Sequence, residues 1–194
     1  MVAAVTAACD TPRPTGPPSA KEILAKPQQS DLKDAHFLVS GEIFNSNPTL
    51  DLFGDGVLVY KPKPAGRIKS ETTRGGKTVT LIQTISLDGT NYLRDEGSPK
   101  WHAVKTPLGV DPTFFAGSNL QKYVGEENLP QGKAWHVTAL DKGGDAFDAY
   151  IRESDGYPIK YVETQGGQPL TLTFDRYNTG EKITAPAPDQ IQAG

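Results

Sequence analysis

The sequence predicts a mainly β chain with two helical segments, an α+β protein built on one antiparallel sheet. Three observations carry that reading. From His36 onward apolar residues recur with a period of two, as in half-buried strands. The runs are separated by short turn signals such as Asp88-Gly89 and Asp141-Lys142-Gly143-Gly144. The 20 glycines and 16 prolines among 194 residues fit the many turns of such a chain.

The first element is helical. Ser19-Ala20-Lys21-Glu22 is a capping box, with Ser19 at the N-cap and Glu22 three residues on. A short helix follows through Ile23 and Leu24, and Pro27 sits inside or ends it. Phe37, Val39 and Ile43 then share one face of a strand whose other face carries Ser40 and Glu42. Leu50–Tyr60 is a second strand with Leu52, Leu58 and Tyr60 inward, and Ala65–Thr73 a third with Ile68 inward. Thr78–Leu87 is a fourth, with Val79, Leu81 and Ile85 on one face. Thr90–Arg94 pairs back across Asp88-Gly89, and Trp101–Val104 is a further short strand.

Asp111-Pro112 interrupts the pattern as an N-cap followed by proline, a helix start. A central helix is expected from there to about Gly125, bringing Phe114, Phe115 and Leu120 down onto the sheet. Strands resume at Lys133–Leu140, Ala146–Glu153, Tyr157–Thr164 and Gln168–Tyr177, for nine or ten in all. In the later strands Phe147, Ile151, Ile159, Leu170, Leu172 and Phe174 are the inward set. A sheet apolar on one face must cover that face. Two short helices are little cover, so the sheet either curls into a barrel or forms a cup with the helices as a lid. The inward residues are packed core or the wall of a cavity, and alternation does not separate the two.

Composition excludes several classes. The net charge is −3 and no basic block occurs, so nucleic acid is not an expected partner. One cysteine rules out an internal disulfide or a cysteine-rich zinc site. His36, His102 and His136 lie far apart without metal-ligand spacing and read as partly exposed strand residues. Gly117-Ser118-Asn119 lacks the glycines of a nucleophile elbow, and the Asp141–Asp148 stretch lacks EF-hand spacing. Gly75-Gly76-Lys77-Thr78 only echoes a phosphate loop, since no helix follows. No catalytic residue, cofactor or metal is expected.

The single cysteine is Cys9, behind the small residues Val5-Thr6-Ala7-Ala8. Bacterial lipoproteins are lipidated at such a cysteine, because small side chains admit the backbone to a peptidase and the thiol can carry the diacylglyceryl group. The eight residues before it lack the basic and long apolar regions of a full secretory signal, and Thr6 stands where Leu is commoner. The alternative is a chance free cysteine. Proline-rich residues 10–18 follow and would act as a spacer of about 3 Å per residue. Four segments are therefore expected: a truncated signal segment 1–9, a tether 10–18, a domain 19–185 and a disordered tail 186–194.

Several stretches resemble the LppX/LprG lipoprotein family and its LolA/LolB-like relatives. They are the opening helix running into His36-Phe37, the hairpin Gly89-Thr90-Asn91-Tyr92 with Trp101, and Asp111-Pro112-Thr113-Phe114-Phe115. Tyr150 to Lys160, with its Pro158-Ile159-Lys160 return, and Phe174-Asp175-Arg176-Tyr177-Asn178 complete the set. Tyr150 and Tyr177 stand where tryptophan is frequent, and Gly41, Gly54 and Gly56 thin the inner face. The resemblance implies an open half-barrel with helices covering its concave face and a hydrophobic cavity for acyl chains. It implies a non-enzymatic, extracytoplasmic protein, anchored to the membrane through lipidated Cys9, that carries a lipid, glycolipid or acylated ligand, with an envelope transport partner. The competing expectation is a non-catalytic envelope sensor or scaffold with a filled core that binds a protein.

Overall fold

A computed structural model of the chain describes residues 16–43, 49–105, 110–165 and 168–192. Cys9 and most of the tether lie outside these residues. Among the described residues no helix is long and apolar enough to cross a membrane.

Helix α1 spans Ala20–Gln29. The capping box forms as the sequence requires: Glu22 N–H donates to Ser19 Oγ at 3.3 Å and Ser19 N–H donates to Glu22 Oε2 at 2.8 Å. Pro27 is accommodated inside its last turn and is buried, as are Ala20, Ile23 and Leu24. Strands β1 (Asp34–Ile43), β2 (Leu50–Val59), β3 (Ala65–Arg74), β4 (Lys77–Leu87), β5 (Thr90–Asp95) and β6 (His102–Val104) follow. A single helical turn, α2 (Thr113–Ala116), precedes β7 (Asn119–Leu129), β8 (Gly132–Leu140), β9 (Ala146–Arg152), β10 (Pro158–Gln165) and β11 (Gln168–Tyr177).

The eleven strands form one antiparallel sheet in the order β6-β5-β4-β3-β2-β1-β11-β10-β9-β8-β7. It does not close, and β6 and β7 are its edges. The order is a pair of meanders joined where β11 returns beside β1, from Phe37 opposite Phe174 to Gly41 opposite Leu170.

The expected central helix is corrected. Asp111 does start a turn, its Oδ1 accepting the Thr113 N–H at 2.7 Å, but α2 ends at Ala116. The rest of the expected helix is the edge strand β7. Gly117 and Ser118 break the turn, Leu120 takes a positive φ of 50°, and β7 pairs with β8 from Asn119 opposite Leu140 to Leu129 opposite Gly132. Strand pairing overrides a stripe that local spacing read as helical.

The main core lies between α1, α2 and the inner face of the sheet. Five rings fill it. Phe115 meets Tyr161 at 4.4 Å and Phe147 at 5.1 Å between ring centroids, and Phe174 meets Tyr161 at 5.2 Å and Phe37 at 5.8 Å. These are the tilted and edge-on arrangements that aromatic quadrupoles favour. Helix α1 packs on β7, β8 and β9 and on α2.

The C-terminal segment, expected as a disordered tail from residue 186, is instead a strap whose residues 188–192 are held on the sheet. Its base is fixed by buried Asp34, which accepts from Thr179 N–H (2.8 Å), Thr179 Oγ1 (2.9 Å) and Gly180 N–H (3.0 Å). Arg67 Nη2 then donates to Glu181 Oε2 at 2.9 Å, and Ile183 packs, as Leu87 does, on the cluster of Val57, Val59 and Ala65. At the far end Trp101 N–H donates to Gln190 O and Gln192 N–H to Trp101 O, each at 2.8 Å, in a parallel bridge beside β6. The strap thus shields one sheet edge, a position that proteins commonly cover.

Candidate functional site

The face on which α1 packs is the inner face. Strand register carries three rows across it. One runs Phe174, Phe37, Gly56, Ile68, Thr84, Leu93; the next Leu172, Val39, Gly54, Ser70, Ile82; the third Leu170, Gly41, Leu52, Thr72, Thr80. Each row is apolar on β11 and β1, small or apolar on β2, and mixed or hydroxyl-bearing on β3 and β4.

Most of the sequence-predicted inward residues come together here. Phe37, Val39, Leu58, Tyr60, Phe115, Phe147, Ile151, Leu172 and Phe174 are buried in the main core, with Leu52 and Ile68 packed against it. Ile43 and Leu170 continue the same face and are half-buried. Phe114 lies in α2, but its side chain is outside the described residues.

Five placements are corrected. Val79, Leu81 and Ile85 do not reach the inner face. The Thr72/Thr73 bulge and the Leu87–Thr90 hairpin pairing set a register in which Thr80, Ile82, Thr84 and Ser86 point inward. Val79 is 51% exposed, while Leu81 and Ile85 lie on the outer face opposite Glu71 and Arg67. Leu120, on β7 rather than a helix, is 79% exposed. Ile159 lies at a register shift between β10 and β9 and joins a separate cluster with Ala134 and Tyr150.

The glycines expected to thin the inner face are filled in by their neighbours. A Cβ on Gly56 would sit 2.4 Å from Phe37 Cζ, one on Gly54 2.9 Å from Ile68 Cδ1, and one on Gly41 2.5 Å from Leu170 Cδ2. Neighbouring side chains have folded onto the bare backbone. On β3 a Cβ at Gly66 would lie 1.5 Å from the Val110 carbonyl oxygen, so the segment before α2 rests directly on that strand.

Polar groups that sequence reasoning left as strand residues have definite partners. His36 on β1 lies between Asp55 (2.9 Å) and Asp175, and His136 on β8 lies between Glu127 (3.0 Å) and Asp148 (2.5 Å). These contacts knit adjacent strands on the outer face. The carboxylates of Asp141, Asp145 and Glu163 come within 4.8 Å of one another. Asp141 Oδ1 accepts the N–H groups of Gly143 (2.7 Å) and Asp145 (3.0 Å), a turn-forming role. Burial pushes the Tyr60 and Tyr161 hydroxyls above the usual tyrosine range, and Tyr177 is pushed up to about 12 by the same cause.

No protein-family model matches the chain, and no curated protein matches it in sequence. Solved structures do. LprF from Mycobacterium bovis matches with a TM-score of 0.50 at 13% identity, over 87% of this chain and 96% of that one. An uncharacterized conserved protein from Thermus thermophilus matches at 0.56 and 18% identity, over 89% and 96%. The Mycobacterium tuberculosis lipoprotein LppX aligns at 0.49 and 14% identity, over 84% and 98%. The fold is therefore an open antiparallel sheet like that of LprF. At these identities the likeness is one of fold.

Proposed function

We propose that the protein is an extracytoplasmic lipoprotein, anchored through Cys9, that holds a lipid or other amphiphile against the inner face of its sheet and carries it between envelope components. No catalytic role is assigned to it. One observation carries the reading: the sheet stays open, and its apolar inner residues are covered unequally. Ile43, Leu52, Ile68 and Leu170 remain half-buried beside a fully packed core. An acyl chain laid along them would gain about 0.8 kcal/mol for each methylene removed from water. The resemblance to lipid carriers supports the same occupant.

Native mass spectrometry of the protein made in its own host tests this. Bound lipid is expected, and Leu52→Trp should reduce it while the protein stays folded. Repeated absence of lipid would overturn the reading. Cys9→Ala should release the protein from the membrane with lipid binding intact. Failure of the folded, soluble variant to bind lipid would overturn the division between anchor and binding face.

A second reading, a sensor or scaffold that binds a protein partner, is favoured by the filled space beneath α1. There Phe37, Phe115, Phe147, Tyr161 and Phe174 pack ring to ring. Under that reading Leu52→Trp leaves function unchanged.

A further inference from the structure

The outer face of β2–β4 carries a groove of about 350 Å³ lined by Asp55, Arg67, Lys69, Gln83, Ile85 and Trp101. The backbone of Gly56, Ile68 and Thr84 also borders it. Register fixes the side: Asp55, Lys69 and Gln83 form one outward row, and Arg67 and Ile85 another. The volume lies in the range of small-ligand sites. A second hollow of about 250 Å³ adjoins it and shares Asp55 and Lys69.

The walls are chemically sorted. Trp101 is buried and pinned by the Arg94 guanidinium, 4.6 Å from its ring centroid. Arg94 Nη2 also donates to Gln83 Oε1 at 2.7 Å, which occupies the Gln83 acceptor and leaves its amide N–H groups for another partner. Ile85 supplies an apolar floor. Arg67 is engaged by Glu181 of the strap, whereas Lys69 has no ion-pair partner among the described residues. Asp55, one oxygen of which meets His36, stands across from Lys69. Glu71 borders the second hollow.

We propose that this groove is a binding site for a small organic monoanion with an apolar body, the carboxylate held by Lys69 and the Gln83 amide and the body laid on Ile85 and Trp101. Hydrogen bonds between an ammonium and a carboxylate are about twice as strong as neutral ones. Asp55 and Glu71 exclude a second negative charge. Glu181 competes with the ligand for Arg67, so the strap limits affinity. This site stands apart from the inner face and does not depend on the lipid reading.

The test uses 3-phenylpropionate as probe, with 3-phenylpropanol and phenylsuccinate as the neutral and dianionic comparisons. The chain has two tryptophans, so two indole N–H signals report by NMR. Trp101 lines the groove and Trp135 packs against the main core, which makes Trp135 an internal control. Saturable movement of the Trp101 signal by the monoanion, with Trp135 still, is expected. Lys69→Ala should weaken binding about tenfold, and Glu181→Gln should strengthen it about threefold by freeing Arg67. Both residues lie at the surface, and circular dichroism verifies folding. Equal binding of the alcohol, unchanged affinity in Lys69→Ala, or movement confined to Trp135 would each overturn the proposal. So would the absence of any shift as the probe nears its solubility.

Discussion

The two halves of the sheet solve the same covering problem on opposite sides. Across β7–β9 the inner face is sealed by α1, and the outer face is closed by its own side chains, with Ala134 and Tyr150 in a small separate cluster with Ile159. Across β2–β4 and at β6 the outer face carries the C-terminal strap, and the inner face is touched by the Val110 segment at Gly66. Simple dimensions explain the division. Eleven strands about 4.8 Å apart span roughly 50 Å. A ten-residue helix is about 15 Å long and 10 Å wide, enough for about three strands. One helix cannot serve the whole sheet, so the second half uses extended chain. Extended chain buries less, and that half keeps both the half-covered apolar strip and the outer groove.

If this contrast is right, damage should cost most in the helix-covered half. Phe174 is fully buried, and Phe174→Ala should cost about 3–5 kcal/mol in denaturant unfolding. Asp34→Ala removes the acceptor of three strap donors and should cost about 2–3 kcal/mol, with the strap base loosened. Gly66→Ala drives a methyl into the Val110 carbonyl and should cost about 1–3 kcal/mol. Ile183→Ala, within the strap, should cost about 1 kcal/mol and redden Trp101 emission as the strap lifts. A loss at Ile183 equal to that at Phe174 would erase the distinction between the halves.

The smallest effect at neutral pH is the most selective. The buried tyrosines stay protonated in the folded state at pH values where unfolded tyrosines, near pH 10, ionise. The unfolded chain then binds fewer protons, so stability falls as pH rises from about 10. It continues to fall through the Tyr177 value of about 12. Tyr161→Phe should change little at pH 7 and flatten the alkaline loss. An alkaline slope unaltered by that change would place the titration elsewhere.

Local signals were legible wherever they acted locally. The Ser19–Glu22 capping box, the Asp88-Gly89 hairpin and the Gln168–Tyr177 strand appear where the sequence puts them. The inner residues of β1, β2, β9 and β11 were legible too, because large apolar side chains alternate there on the face that forms the main core. On β4 the alternation was read onto the wrong face. Period two says which residues lie together and not which face is inside, and a one-residue register change exchanges them. Leu87 is apolar and outward because it packs on the Val57, Val59 and Ala65 cluster, which Ile183 joins from nearly a hundred residues away in the chain. The same distance hid the strap, whose prolines and polar residues signal little, and the role of Trp101 as its mooring.

The sequence by itself determined the class of fold: one antiparallel sheet and a capped opening helix. These follow from short-range chemistry, namely capping, turn preference and side-chain alternation. Only the tertiary structure decided that β7 is a strand, that the glycines are filled by neighbouring side chains, and that each half of the sheet is covered from a different side. Those outcomes depend on which distant segments reach a face first and bury it best, a competition that no local window of residues contains.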